Sequence, residues 1–275
     1  MGKSHDAILD VIKGQLEAGT IPWRKTWNMP RPRNADNRSY SGINYFLLSF
    51  SGYEDPRWMT FNKAQSLGGC VKKGEKGKHI VFFNFLEKTD SVSNAIKKMP
   101  ILRIYSVFNL AQVEGVELPQ LGEEKKVEAE SIVKGYRGCP KIEFGFESAC
   151  YFPSQDRVNM PSLSQFGSRD EYYSVLFHEL AHSTGAKDRL NRKGIVNFDK
   201  FGTEQYSEEE LIAEMTAAFL CAEAGIDNTL QNTASYIKGW LKFFDSNPNV
   251  LVSAASKAQK AANYILNKTE IVESE

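Results

Sequence analysis

The chain has 275 residues, 41% hydrophobic and 12% aromatic, which is enough for two packed cores and too much for wholesale disorder. It has no apolar run near the roughly 18 residues of a spanning helix, its start MGKSHDAILD lacks a signal-peptide layout, and its four scattered cysteines make no disulfide frame, so a soluble cytoplasmic protein without membrane contact is expected. The formal net charge of zero excludes a DNA mimic yet hides a split: residues 1–120 carry 17 Lys and Arg against 11 Asp and Glu, the remainder 17 against 23. One half is suited to a polyanion and the other to a different task.

In chain order, Ser4 or Asp6 can cap a first helix with Ile8, Val11, Ile12 and Leu16 at helical spacing and Gly19 as its stop. The aperiodic IPWRKTWNMPRPRNADNRSY follows, then a helix from Thr60 through FNKAQSL to Gly68-Gly69. Two strand-like runs, KHIVFFNF at 78–85 and ILRIYSVFN at 101–109, complete a small α+β domain. The polar ELPQLGEEKKVE carries no core pattern. The expected division is therefore a domain over 1–116, a linker over 117–128 and a second domain over 129–275.

The first half interleaves cations with rings: Trp23, Arg24, Lys25 and Trp27, then Arg38 with Tyr40, and Arg57 with Trp58. Single-stranded nucleic acid needs that pairing, since cations meet phosphates and rings stack on unpaired bases for on the order of 1–3 kcal/mol each. Lys72, Lys73, Lys76 and Lys78 surround Gly74 and Gly77 in a turn ahead of a strand, free to meet phosphate. Core packing is the competing reading for Trp23 and Trp58, and a solvated hairpin end for the lysines.

The second half holds His178-Glu179-Leu180-Ala181-His182, an HExxH. On a helix the two histidines share a face and can bind one Zn²⁺, while Glu179 reaches water at the metal as general base. Ser168 can cap that helix, Tyr172, Leu176, Leu180 and Ala181 form its buried side, and Gly185 ends it. Two carboxylates compete for the third ligand position. Asp188 completes HExxHxxGxxD. Glu214 is the sole charge between Leu211 and Ala222 on a helix apolar nearly all round, where a buried carboxylate needs a partner. Ser207 and Glu210 have capping-box spacing, which gives Glu210 a structural task and favours Glu214 as the ligand. Such a site acidifies water and suits peptide hydrolysis. The run ESACYFPSQDRVNMP at 147–161 reads as a strand and turn leading to the HExxH helix, a sheet edge for an extended peptide. Segments 231–244 and 248–267 read as amphipathic helices closing the core.

These residues resemble the ArdC-type antirestriction proteins of conjugative plasmids, and with them the related N-terminal regions of plasmid primases. The marks are IPWRKTWN, YSGINYFLL, RWMTFNKAQSLGG, VKKGEKGKHIVFF and VFNLAQ, then YFPSQDRVNMP, FHELAHSTGAKDRLNR, EELIAEMTAAFL and ASYIKGWLKFF. The resemblance implies an α+β chain: an N-terminal single-stranded-DNA-binding domain and a mainly helical, zincin-like metallopeptidase domain with a short sheet. It implies protection of DNA entering a cell by conjugation, with His178, His182 and Glu214 on Zn²⁺ or another divalent metal such as Mn²⁺, and Glu179 as base. Two further expectations stand beside it: a DNA-binding module whose zinc is structural, and a peptidase whose substrate is a host restriction subunit or repressor.

Overall fold

The computed structural model describes residues 3–24, 31–49, 51–89, 96–122, 125–196, 204–226 and 234–268. The chain forms two compact units, one of residues 1–11 and 29–122, the other of 12–28 and 123–275. Of these, the described residues 12–24, expected with the first domain, thus group with the second.

The first helix, α1 (Lys3–Glu17), crosses that division, burying Ile8, Ile12 and Leu16 while Val11 is exposed. It ends as the sequence predicts: Gly19 takes a left-handed φ of +80° and donates its N–H to the Leu16 carbonyl.

The first unit is built on a four-stranded sheet. Its elements are β1 (Arg33–Asn34), α2 (Gly42–Ser49), β2 (Arg57–Thr60), α3 (Phe61–Ser66), β3 (Cys70–Val71), β4 (Lys78–Thr89), β5 (Ile96–Asn109) and β6 (Val113–Glu114). The sheet order is β1-β2-β5-β4, and β3 pairs separately with β6. The two predicted strands form one long antiparallel hairpin in register from Lys78 opposite Val107 to Thr89 opposite Ile96, longer at both inner ends than expected. Leu48, Trp58 and Val107 form a core on this sheet, with Tyr40, Tyr53 and Ile80 packed against it. Helix α2 has no counterpart among the elements expected from the sequence. Its buried Asn44 acts as a substitute strand partner, donating Nδ2–H to the Val81 carbonyl and accepting the Val81 N–H, both at 2.7 Å. Thr60 caps α3 as expected, its Oγ1 accepting the Lys63 N–H.

The second unit carries α4 (Ala129–Gly135), β7 (Lys141–Phe144), β8 (Cys150–Phe152), β9 (Arg157–Met160), α5 (Arg169–Ser183), α6 (Lys193–Val196), α7 (Glu204–Ala224), α8 (Ala234–Ser246) and α9 (Val250–Ile265). The three strands order as β7-β9-β8, with β8 antiparallel to β9 and at the sheet edge. Helices α5, α7 and α9 pack together, and α7 is buried on nearly every side from Leu211 to Cys221. Among the described residues no helix is long and apolar enough to cross a membrane.

Candidate metal centre

Ser168 caps α5 through its Oγ, which accepts the Glu171 N–H at 3.0 Å, and Asp170 and Glu171 occupy the first turn where the helix dipole favours acid. Tyr172, Leu176, Phe177, Leu180 and Ala181 are buried, which turns His178 and His182 to a common side. Their Nε2 atoms stand 3.1 Å apart. A carboxylate of α7 faces both: Glu210 Oε2 lies 3.4 Å from His178 Nε2, and its Oε1 lies 3.5 Å from His182 Nε2. The three donors lie within 4.8 Å of one another. Ligands held about 2.1 Å from a single tetrahedral ion are separated by about 3.4 Å, so this donor set fits one divalent cation.

The carboxylate beside the imidazoles is thus Glu210, in place of the expected Glu214. Helix α7 spans Glu204–Ala224, so Ser207 lies inside it and cannot be its N-cap, which releases Glu210 from the capping box. Glu214, one turn further on and fully buried, accepts the Trp23 indole N–H at 2.6 Å. Asp188 is exposed, and the next residue, Arg189, turns inward to pair with Asp156.

Burial alone would push the His178 imidazole down, but the hydrogen bond to Glu210 and the charges of Glu179, Glu210 and Glu214 outweigh it and raise the group to about 9. The pocket favours positive charge.

Two contacts orient the site from behind. His182 Nδ1 lies 3.4 Å from Oε1 of Glu209, a carboxylate only 3% exposed. Arg192 grips Glu209 with Nε at 2.9 Å from Oε2 and Nη2 at 2.6 Å from Oε1, and ties it to the end of α5 through Thr184 Oγ1 and the Ala181 carbonyl. Burial opposes ionisation of Glu209, but Arg192 and His182 hold its carboxyl below the usual carboxylate range. A carboxylate on Nδ1 fixes the imidazole tautomer and leaves Nε2 free for metal. Gly185 permits this approach, since a Cβ there would sit 2.6 Å from Ile195 Cγ1 and 3.0 Å from Arg192 Nη2. Arg192 and Glu209 fall within the marks FHELAHSTGAKDRLNR and EELIAEMTAAFL, but nothing in either string pairs the two residues or gives them a role.

Glu179 is nearly buried, and its Oε2 accepts the Tyr151 N–H of edge strand β8 at 2.7 Å. Tyr151 pairs opposite Val158, so an N–H aimed at Glu179 points off the sheet rather than into it.

The residues expected at nucleic acid divide. Trp23 is corrected: it is 1% exposed, edge-on to Trp240 and Phe244, and engaged by Glu214, so its ring is not available to a base. Tyr40 packs against the core of the first unit, and Trp58 lies within that core. Arg24 ends a 3₁₀ turn over Pro22–Arg24 whose side-chain placement at that residue is outside what is described; Lys25 and Trp27 lie outside the described residues. Arg38, Lys72, Lys73, Lys76 and Lys78 are exposed. The lysine turn is pinned from beneath by Gln112, whose Nε2 donates to Glu75 Oε2 and the Lys76 carbonyl.

Residues 3–108 match the family of the N-terminal domain of anti-restriction factor ArdC, and residues 128–257 match the zincin-like metallopeptidase family. The crystal structure of antirestriction ArdC protein from plasmid R388 superposes with a TM-score of 0.80 at 33% identity, covering 98% of this chain and 100% of that one. The chain belongs to the ArdC antirestriction family. The R388 ArdC protein was also solved in a Mn(II)-bound form, similar to this chain at a TM-score of 0.79. Protein y4eC of Sinorhizobium fredii is 31% identical over 95% of this chain and 91% of its own length. Two DNA primases TraC of Escherichia coli are 34% and 32% identical, but the chain spans only 20% and 27% of their lengths. With this ArdC-family membership, the α+β architecture and the divalent-metal character of the second unit agree with the sequence expectation.

Proposed function

We propose that this chain protects DNA entering the cell during conjugation, binding single strands through its first unit and carrying a peptidase-type site in its second. The observation that carries the hydrolytic part is the convergence of His178, His182 and Glu210 beside a Glu179 suspended from a strand edge. His178, His182 and Glu210 hold the cation, with the mixed nitrogen and oxygen set suiting Zn²⁺ and also accepting Mn²⁺. Once bound, the metal supplies Lewis acidity that acidifies water and polarises a carbonyl. Glu179 takes up a proton with Oε1 while Tyr151 N–H fixes Oε2, and returns it to the leaving amine. The open side of β8 receives an extended segment of a host protein, a restriction subunit or a repressor. The exposed lysine turn, Lys72 to Lys78, together with Arg38, supports a phosphate-binding role for the first unit. The cytoplasm is where incoming single strands and restriction enzymes meet.

Plasmid transfer into a restricting recipient tests this reading, comparing wild type with Glu179→Ala. Loss of protection with metal uptake intact places hydrolysis in the mechanism. Full protection by the variant refutes the hydrolytic part and leaves DNA binding as the protecting act.

A further inference from the structure

The segment 12–24 comes early in the chain, ahead of the body of the first unit, yet packs with the second unit. It lies outside the stretch 128–257 that matches the metallopeptidase family. Its 3₁₀ turn at Pro22–Arg24 packs on α7, the helix that carries Glu209, Glu210 and Glu214. What it delivers there is Trp23. The indole lies edge-on to Trp240 at 5.7 Å and to Phe244 at 6.1 Å, so its plane is set by two rings of α8. A fixed plane gives a fixed N–H direction, and that N–H meets Glu214 Oε2 at 2.6 Å.

Glu214 stands four residues beyond Glu210, on the same helix face and one turn along the axis. Its charge is among those acting on His178. His178 Nδ1 is buried and lacks a hydrogen-bond partner among the described residues, whereas His182 Nδ1 has Glu209. The two histidines are therefore supported differently: His182 has at Nδ1 a carboxylate held by Arg192, and His178 has no such partner among the described residues. A side chain 1% exposed has little freedom beyond the partners that hold it, and the indole N–H is one of those partners.

We propose that Trp23 is a positioning residue of the metal centre: its indole N–H holds Glu214 one helical turn beyond Glu210 on α7, so the metal-binding unit is complete only with its N-terminal segment. This rests on the reading of His178, His182 and Glu210 as metal ligands.

The test uses the full chain, with Mn²⁺ and Zn²⁺ titrated by calorimetry into wild type, Trp23→Phe, Glu214→Gln and the double variant. Trp23→Phe keeps a ring against Trp240 and Phe244 and removes the donor together with part of the buried ring volume, which the melting control reads. Loss of an outer partner of a metal site costs about 10- to 100-fold in affinity, which is the drop expected for each single variant. Because Trp23 acts through Glu214, the double variant should bind no more weakly than Glu214→Gln alone. Melting of the metal-free proteins supplies the control, since a purely packing role lowers that temperature and leaves affinity unchanged. Wild-type affinity in Trp23→Phe, or losses that multiply in the double variant, overturns the inference. Should Trp23→Phe fail to fold, undiminished affinity in Glu214→Gln, which retains an acceptor for the indole, overturns it equally. A wild-type chain that takes up neither ion refutes the metal-site reading and this inference with it.

Discussion

Replacing Arg192 by Met removes the cation that neutralises Glu209 while keeping most of the side-chain volume. Arg192 is 8% exposed and Glu209 3%, so the stranded carboxylate has little water to turn to. The substitution deletes three charge-assisted bonds to Glu209 and the bonds to Thr184 and the Ala181 carbonyl. Breaking a buried pair from one side costs about 3–5 kcal/mol. At roughly 2–4 °C per kcal/mol for a domain of this size, the melting temperature should fall by about 6–20 °C. The decisive comparison is the double variant Arg192→Met, Glu209→Leu, in which no charge is left unpaired. Stability should return to near wild type, because apolar replacement of both partners is often neutral. Metal affinity should stay low, because His182 Nδ1 then has no carboxylate beside it. Thermal unfolding by circular dichroism with calorimetric metal titration separates the two effects. A single variant within about 1 kcal/mol of wild type, or a double variant as unstable as the single, would refute the argument that burial of Glu209 makes Arg192 obligatory.

Glu210→Gln should lower Mn²⁺ and Zn²⁺ affinity at least tenfold with little change in metal-free melting; unaltered affinity rejects Glu210 as ligand. Burial raises the Tyr136 phenol from 10.0 to about 12, against the hydrogen bond with Ser183 and the charge of Arg189, so the folded state prefers the protonated form. That contribution is intact below pH 10 and lost as pH rises towards about 12. Tyr136→Phe should therefore lose stability less steeply over this window in melts followed against pH. Gly185→Ala should destabilise by about 1–3 kcal/mol, since the new Cβ overlaps Ile195 and displaces Arg192; an unchanged melt would show that α6 yields freely. Reversing Lys72, Lys73, Lys76 and Lys78 to Glu should leave the fold intact and weaken single-strand binding, with the log–log salt slope flattened by about 0.7 for each phosphate no longer neutralised. Unchanged slopes in a fluorescence-anisotropy titration would remove the turn from the DNA surface.

Legibility in the sequence follows from how local each signal is. Thr60 and Ser168 cap their helices through bonds to a backbone N–H three residues on, and the HExxH face depends only on the helix repeat. The hairpin of β4 and β5 is visible as two apolar runs, though its inner extent is not, because pairing carries polar residues along once register is set. The histidine-facing carboxylate is harder. Glu210 and Glu214 are one turn apart on a single face, so the sequence separates them only by where α7 starts, and the Ser207 capping signal points to the wrong start. Basic and aromatic interleaving around Trp23 reads as a nucleic-acid surface because composition does not say which unit a segment joins.

By itself, then, the amino-acid sequence determined the HExxH helix and the family. Each rests on contacts within a few residues or on motifs in a given order. Only the tertiary structure decided that Glu210 rather than Glu214 faces the imidazoles, that Arg192 and Glu209 brace His182, and that Trp23 is buried in the second unit. A helix apolar on almost every side has no periodic signal to set its rotation or its slide along α5. Those are fixed by packing between segments distant in sequence, 191 residues apart in the case of Trp23 and Glu214.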